Sequence, residues 1–271
     1  MMSRRWLALG VACLLGVSAC GPESNAPLSP DSDTEALLKV TNRGGATIDV
    51  IVILDESFAP GGHAANRAAA DRIARGLGLS PKLTYGTAAF GFSATIPEAR
   101  LNGLQRNPQI KYVEIDRIAS IPHPVTQVPK KCEKNPDGPG CGGGGEEDPV
   151  ADSETTPWGI TRVGGGETYS GAGVAWIIDT GIDFDHADLN VDASRSVSFV
   201  KRGKNSAKDG NGHGTHVAGT IAAIDNGIDV IGVAAGTTVI AVRVLGNSGS
   251  GFYSWVIAGI DHVAANGTSG D

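Results

Sequence analysis

Two short segments of this 271-residue chain carry residue types that could transfer protons together. Asp179 stands in Asp-Thr-Gly-Ile-Asp, directly after the apolar run Val174–Ile178. His213 stands in Asn-Gly-His-Gly-Thr-His-Val-Ala-Gly-Thr. A neutral imidazole can take a proton from a weakly acidic hydroxyl group and return it later. A buried carboxylate that accepts the other ring N–H fixes the tautomer of that imidazole. Either motif alone is more typical of a turn, a helix cap or a core histidine, so the inference depends on the pair.

The two motifs resemble the Asp and His motifs of the subtilisin-like serine proteases. The similarity extends from Pro157-Trp158-Gly159 through Leu245 to Ile260. It implies an α/β fold, a subtilisin-like parallel-sheet α/β/α sandwich, of which residues 157–271 would be the N-terminal portion. It also implies a serine endopeptidase in which His213 is the base and Asp179 orients it.

The nucleophilic serine of that family stands in Gly-Thr-Ser-Met-Ala, and this motif does not occur in the 271 residues. Gly267-Thr268-Ser269 continues with Gly-Asp and falls where the family leaves a surface helix, so Ser269 is rejected as the nucleophile. We therefore expect a chain truncated before the catalytic serine, which by itself does not cleave peptides efficiently.

The resemblance also implies a substrate-binding strand for polypeptides. Main-chain hydrogen bonds from such a strand bind extended peptides of many sequences. The residues expected to pair with the substrate backbone are Gly249, Ser250 and Gly251. Those expected to line an apolar side-chain pocket are Leu245, Tyr253 and Val256.

A structural calcium site is a further implication of the resemblance. Oxygen-only ligands that include carboxylates suit this hard cation. The alternative interpretation is a solvated acidic loop. The implied ligands are the side chains of Glu154, Asp188 and Asn226 and the carbonyl groups of Ile224, Ile228 and Val230.

His216 follows His213 by three residues, which suggests a metal site of the His-x-x-His kind. No glutamate follows the first histidine, as the helical zinc protease motif requires. The resemblance implies a structural role for the second histidine. A metal-dependent hydrolase is therefore a disfavoured alternative.

The elements that position these residues can be predicted from periodicity. Val174–Ile178 is apolar on both faces, which is typical of a buried parallel strand and puts Asp179 at its carboxyl end. Upstream, the pattern predicts the order βαββαβ, which is typical of a ferredoxin-like sandwich. The predicted elements are a strand over Thr47–Leu54, a helix over Ala64–Leu77, one or two strands within Lys82–Ile96, a helix over Pro97–Arg106 and a strand over Ile110–Ile118.

This upstream region resembles the inhibitory prodomain that precedes subtilisin-like proteases. The similar segments are Ile51–Leu54, Phe90–Ala94 and Tyr112–Asp116. The resemblance implies that residues 46–121 form a small α+β prodomain, an intramolecular inhibitor whose C-terminal end stays in the cleft until it is removed. The alternative function is a catalytically inactive lipoprotein that binds or inhibits other proteases.

The first residues predict export. Two arginines precede the apolar run Trp6–Val17, which is long enough for a signal peptide but too short to span a membrane. The run ends in Val-Ser-Ala-Cys, which resembles the lipobox of bacterial lipoproteins. We expect a signal peptide over 1–19, a lipid on Cys20 and an acylated tether over 20–45; an ordinary secretory signal is the alternative. Such a protein is membrane-anchored, and maturation would release its catalytic part to the periplasm or the extracellular space.

Residues 122–156 are rich in Gly and Pro, which predicts an exposed, cleavable linker. Cys132 and Cys141 lie within it, and an oxidising compartment favours a disulfide between them over free thiols or a metal pair. The net charge of −7, without a basic stripe, excludes nucleic acid as an expected partner.

Overall fold

The structure is a computed structural model that describes residues 45–121, 154–201 and 206–271. The predicted signal peptide, the lipid on Cys20, the disulfide between Cys132 and Cys141 and nearly all of the linker lie outside these residues. Within the described ranges, no helix is both long and apolar enough to cross a membrane.

The helices and strands of the described residues follow in chain order as β1 (Thr47–Leu54), α1 (His63–Gly76), β2 (Pro81–Tyr85), β3 (Gly91–Pro97), α2 (Leu101–Gln105), β4 (Ile110–Ile115), β5 (Ile118–Ser120), α3 (Trp158–Arg162), β6 (Glu167–Thr168), β7 (Ala175–Asp179), β8 (Val197–Ser198), α4 (His213–Ala222), β9 (Ala234–Ala235), β10 (Val239–Arg243), β11 (Ser250–Phe252) and α5 (Tyr253–Asn266).

The first four strands form one antiparallel sheet in the order β2-β3-β1-β4. Helix α1 connects β1 to β2 and helix α2 connects β3 to β4, so the elements run βαββαβ. The predicted helix over 97–106 is divided into a 3-10 turn at Glu98–Arg100 and the short α2. The strand predicted over 110–118 ends at Ile115, because residues 118–120 leave this sheet and pair with β11 instead.

Side chains alternate along β1, so the antiparallel sheet has two apolar faces. Val50, Val52 and Leu54 are fully buried in the core beneath α1 and α2. On the opposite face, Ile51 packs with Tyr85 of β2 and Ala258 of α5. The sheet is therefore covered by its own helices on one face and by a helix from the second half of the chain on the other.

A second, parallel sheet has the strand order β7-β10-β8. Ile177 of β7 and Ala241 of β10 pack with Ala218 of α4 on one face. Val242 of β10 packs with Trp255 of α5 on the other face. This part of the chain is thus layered α/β/α, and α5 is shared between the two sheets.

Candidate active site

Asp179 is the last residue of β7, at the carboxyl end of the parallel sheet. Its side chain is 12% exposed, and its Oδ1 accepts a hydrogen bond of 2.7 Å from the N–H of Thr180. A carboxylate at this end of a parallel strand is held by the rigid sheet and faces the loops that follow the strands.

His213 is the first residue of α4, and its Nδ1 lies 2.9 Å from both carboxylate oxygens of Asp179. Because carboxylate oxygens accept, Nδ1 carries the proton and Nε2 is left as a proton acceptor. The imidazole is 37% exposed, so its free side is open to a reactant. The two predicted acid–base residues are brought together with the geometry that general base catalysis needs.

Gly214 allows the base to approach the carboxylate this closely. A Cβ atom built on Gly214 would lie 2.2 Å from the carbonyl oxygen of Gly181, a distance that real Cβ atoms do not show. Its N–H donates to Oγ1 of Thr180 at 2.9 Å. The missing side chain therefore permits packing of α4 against the turn after Asp179.

The residues predicted to bind a substrate backbone lie in or next to the strand β11, which pairs with another segment of the chain. Residues Ser250, Gly251 and Phe252 lie antiparallel to Ser120, Ala119 and Ile118. The N–H of Ile121 donates to the carbonyl oxygen of Gly249 at 3.0 Å. The end of the 45–121 segment thus lies on this strand as an extended peptide would.

The predicted apolar pocket is only partly assembled in this structure. Leu245 is buried, and Val256 and Ile121 pack in the same apolar cluster. Tyr253 stands outside that cluster with 48% of its surface exposed. The described residues therefore place the side chain of Ile121 near two of the three predicted lining residues.

Two carboxylates anchor the 45–121 segment to α5, and sequence reasoning missed both. Asp261 of α5 accepts hydrogen bonds from the backbone N–H groups of Gly86, Thr87 and Ala88, at 2.6–3.1 Å. Asp116 accepts from the N–H of Ser254 at 3.0 Å, in the first turn of α5, where orphan N–H groups need an acceptor. Burial raises the pKa of Asp116.

Asp209, four residues before the base, was also missed. It accepts hydrogen bonds from the N–H groups of Asn211, Gly212 and Thr215 and from the hydroxyl groups of Thr180 and Thr215. Burial raises its pKa, but these hydrogen bonds outweigh burial and the net effect lowers it. The Asp-Gly-Asn-Gly sequence is the available signal, since such sequences form side-chain-stabilised turns.

The residues expected to bind calcium are brought together around a loop. Asp188 is 2% exposed, and its Oδ1 accepts from the N–H of Ile224 at 3.1 Å and from Nδ2 of Asn226 at 3.2 Å. Oε1 of Glu154 accepts from the N–H groups of Asn226 and Gly227.

The same loop continues through the remaining expected ligands. The N–H of Ile228 donates to Oδ1 of Asn226, and Val230 forms a bridge with Thr155. The side chains of Glu154 and Asp188 accept hydrogen bonds from N–H donors. Among the described residues there is no group of three or more His, Cys, Asp or Glu side chains that could hold a metal ion.

His216 is exposed and lines a cavity of about 1030 Å³ that is also lined by His186. Neither Asp179 nor His213 lines this cavity. Nδ1 of His186 accepts from the N–H of Asp188 at 3.3 Å, so this ring has a structural partner.

Comparison with known proteins agrees with this geometry. Residues 171–269 match the subtilase family. The chain is 38% identical to Subtilisin E of Bacillus subtilis (strain 168) over 179 residues, which are 64% of this chain and 39% of that protein. It is 49% identical to Subtilisin Savinase of Lederbergia lenta over 121 residues, which are 42% of this chain and 43% of that protein.

The chain thus spans about two fifths of the length of these relatives. The match includes both motifs of the candidate site and the strand β11. Taken together, the fold, the Asp–His pair and these similarities relate residues 171–269 to the subtilase family.

Proposed function

We propose that this chain is the N-terminal part of a serine endopeptidase zymogen that hydrolyses peptide bonds through an Asp-His-Ser triad. One observation carries the proposal: Nδ1 of His213 is bonded to the carboxylate of Asp179 beside a strand, β11, that already pairs with an extended segment. A base, its orienting carboxylate and a strand for peptide backbones are three of the parts that this reaction requires.

The roles of the two side chains follow from their geometry. Nε2 of His213 takes the proton of a serine hydroxyl as the oxygen attacks the scissile carbonyl carbon, and later gives it to the leaving amine. Asp179 holds the proton-bearing Nδ1 and stabilises the imidazolium as it forms. The serine belongs to the Gly-Thr-Ser-Met-Ala motif that the 271 residues do not contain.

Residues 46–121 act, in this proposal, as an intramolecular inhibitor with a ferredoxin-like fold. The support is the pairing of β5 with β11, which occupies the edge that a substrate backbone would use. Further support is the burial of Ile51 and Tyr85 against α5. Residues 122–156 then serve as the linker whose cleavage frees the edge, and 157–271 as the first part of the catalytic domain.

Calcium is proposed as a stabilising ion of the folded state, held by the oxygens of Glu154, Asp188, Ile224, Asn226, Ile228 and Val230. The donor set fits, because it offers only oxygen atoms and includes carboxylates. Burial raises the pKa of Asp188, and the neighbouring Glu154 raises the pKa of Asp225. A divalent cation would relieve both the buried charge and the repulsion.

The calcium proposal is tested by heat unfolding of the full chain with calcium and with a chelator. Calcium at about 100 times its Kd should add about 2.7 kcal/mol to the free energy of unfolding. Asp188→Ala should abolish this gain, whereas Asp71→Ala, on the exposed surface of α1, should keep it. An equal melting temperature with and without calcium in the unmodified chain contradicts the site.

Export as a lipoprotein is proposed on the sequence of residues 1–20, with signal cleavage before Cys20 and a tether over 20–45. Cell fractionation tests it. Cys20→Ser should move the precursor out of the membrane fraction, whereas Cys13→Ser, within the removed signal peptide, should leave it there. A mature catalytic domain that stays membrane-bound contradicts release from the anchor on maturation.

Peptide hydrolysis by the product of the complete gene tests the proposed activity. In subtilisin, to which this chain is similar in sequence, loss of the histidine base lowers turnover by about 10⁶-fold. This figure comes from subtilisin itself. We expect a loss of that order for His213→Ala and about 10⁴ for Asp179→Asn, because the amide favours the wrong tautomer.

His216→Gln is the matched control, because it removes the other histidine of the motif. The His216→Gln variant should retain peptide hydrolysis. Chelators should not abolish this hydrolysis as long as the protein stays folded. Activity that survives His213→Ala, or that requires His216 and a metal ion, contradicts the serine mechanism and favours a metal-dependent hydrolase.

A further inference from the structure

A group of polar residues outside the Asp–His pair connects the base to the substrate strand. These residues, Thr180, Asp209, Arg243 and Asn247, are called the brace below. None of them bonds to the imidazole of His213 in this structure, so their function is not that of a proton donor or acceptor in the reaction.

Asp209 joins the two halves of the Asp–His pair. One oxygen, Oδ1, accepts from Oγ1 of Thr180 at 2.9 Å, in the turn directly after Asp179. The other, Oδ2, accepts from the N–H of Thr215 at 2.9 Å and from its hydroxyl group at 2.6 Å, in the first turn of α4. The strand end that carries the carboxylate and the helix start that carries the base are therefore fixed to one side chain.

Arg243 joins the loop around Asp209 to the substrate strand. It lies opposite Asp179 in the parallel pairing of β10 with β7, and it is 9% exposed. Its Nη1 donates to the carbonyl oxygens of Ser206 and Lys208, at 2.9 and 3.1 Å. Its Nη2 donates to Oδ1 of Asn247 at 2.6 Å, two residues before Gly249.

A third connection joins the β11 loop to the base through Asn211. Nδ2 of Asn211 donates to the carbonyl oxygen of Asn247 at 2.8 Å, and Oδ1 of Asn211 accepts from the N–H of His213 at 3.2 Å. The base and the β11 loop are therefore linked in two ways. One link runs through Asn211. The other runs through Asp209, its neighbour Lys208 and Arg243.

A buried guanidinium is a costly way to fill space. Removing it from water is unfavourable, and an apolar side chain of similar volume often stabilises a fold equally well or better. The guanidinium does offer several donors in a rigid planar fork, which fixes distances between the groups that accept from it. Arg243 therefore suits a position where the separation of two loops matters more than stability.

We propose that Asp209 and Arg243 are positioning residues, which hold the imidazole of His213 and the backbone of β11 at a fixed separation so that a bound peptide meets the base in register. This inference rests on the proposed function. It adds that the base and the substrate strand are coupled: loosening the brace at the strand end loosens the Asp–His pair as well.

The experiment uses NMR on the full chain and follows two signals. The first is the low-field proton between Nδ1 of His213 and Asp179, whose exchange with water reports the Asp–His pair. The second is the amide of Ile121, whose hydrogen exchange reports pairing with β11. The variants are Arg243→Gln and Arg243→Lys, with Arg195→Gln as the matched control, because Arg195 donates to Asp192 on the exposed surface.

Arg243→Gln should speed both exchange processes about tenfold, because a lost hydrogen bond to a charged group shifts a local opening equilibrium by about that much. Arg243→Lys should fall between Arg243→Gln and the unmodified chain, since the ammonium keeps the charge but not the fork. The control and the amides of the β1–β3 pair should stay within twofold of the unmodified chain.

Exchange rates of Arg243→Gln that stay within twofold of the unmodified chain at both signals would overturn the proposal. So would a uniform increase that includes the β1–β3 amides, because it would show a purely structural role. If Arg243→Gln does not fold, Asn247→Ala removes an exposed acceptor of the same guanidinium and makes the same test. Absence of the low-field proton from the unmodified chain would contradict the Asp–His pair. Exchange of the Ile121 amide alone would then test the positioning role of the brace.

Discussion

The 45–121 segment contacts the rest of the chain in two places that differ in physical character. At the sheet face, Ile51 and Tyr85 are buried against α5, and Asp261 accepts from three backbone N–H groups. At the tail, β5 pairs with β11 through main-chain groups, and Ser120 is exposed. The sheet face supplies apolar area and a charge-assisted anchor, whereas the tail supplies strand pairing and the apolar contact of Ile121. We infer that the sheet face contributes most of the binding free energy and that the tail determines which edge is occupied.

The largest effect is expected at the sheet face. Asp261→Ala leaves the N–H groups of Gly86, Thr87 and Ala88 without their acceptor, which should lower the free energy of unfolding of the full chain by about 3 kcal/mol. Urea unfolding measures the loss. Asp71→Ala, which removes an exposed ion pair with Arg75 on α1, is the control and should leave the free energy of unfolding nearly unchanged. Equal losses in the two variants would contradict the anchor.

A smaller and more local effect is expected at the tail. Gly249 has φ +74°, and a Cβ there would lie 2.7 Å from Cγ1 of Ile121; Gly236 has φ +78° and nothing within 4 Å of its Cβ position. Alanine at either position should cost about 1 kcal/mol of backbone strain. Gly249→Ala alone should also displace the tail and speed hydrogen exchange of the Ile121 amide.

Exchange of that amide in the Gly236→Ala chain serves as the control, and it should match the unmodified chain. If both variants release the tail, strain rather than the contact with Ile121 is responsible. If neither does, the pairing of β5 with β11 is more tolerant than the structure indicates.

The smallest effects are expected on how stability changes with pH. The slopes should have opposite signs at two carboxylates, Asp116 beside the tail and Asp209 in the loop before the base. Burial raises the pKa of Asp116, so its contribution is present below the ordinary value of 3.8 and is lost as pH rises through the raised pKa. The pKa of Asp209 is lowered because its hydrogen bonds outweigh burial, so its contribution is present above 3.8 and is lost as pH falls through the lowered pKa.

Urea unfolding at a series of pH values measures these slopes. Asp116→Asn should remove a decline in stability as pH rises from about 4, relative to the unmodified chain. Asp209→Asn should remove a decline as pH falls below about 4. Each variant changes the slope of stability with pH relative to the unmodified chain. If the two changes have the same sign, the environments of the two carboxylates do not differ as described.

Much of the fold could be predicted because its information is local. The alternation of Val50, Val52 and Leu54 predicts β1, and the doubly apolar run ending at Ile178 predicts β7 and places Asp179 at its end. The two motifs, through their resemblance to a known protease family, also predicted the residues that meet in the Asp–His pair. The break between β4 and β5 was not predictable, because it depends on β11, which lies more than a hundred residues away in the chain.

The residues that sequence reasoning missed act across long separations. Asp261 accepts from Gly86 over 175 residues, and Asp116 accepts from Ser254 over 138 residues. Neither carboxylate stands in a pattern that distinguishes it from a solvated surface charge. Arg243, in an otherwise apolar strand, is different: a charged residue in a buried parallel strand is itself a signal that sequence reasoning could have used.

We propose that the complete protein forms an Asp–His–Ser site around His213 and that the tail of residues 45–121 occupies the edge that a substrate would use. A fluorophosphonate probe, which reacts only with an activated serine, tests both parts in the product of the complete gene. We expect no labelling while residues 45–121 remain in place, labelling once proteolysis in the linker has removed them, and none at either stage for His213→Ala. Equal labelling before and after removal, or labelling that does not depend on His213, would contradict the claim.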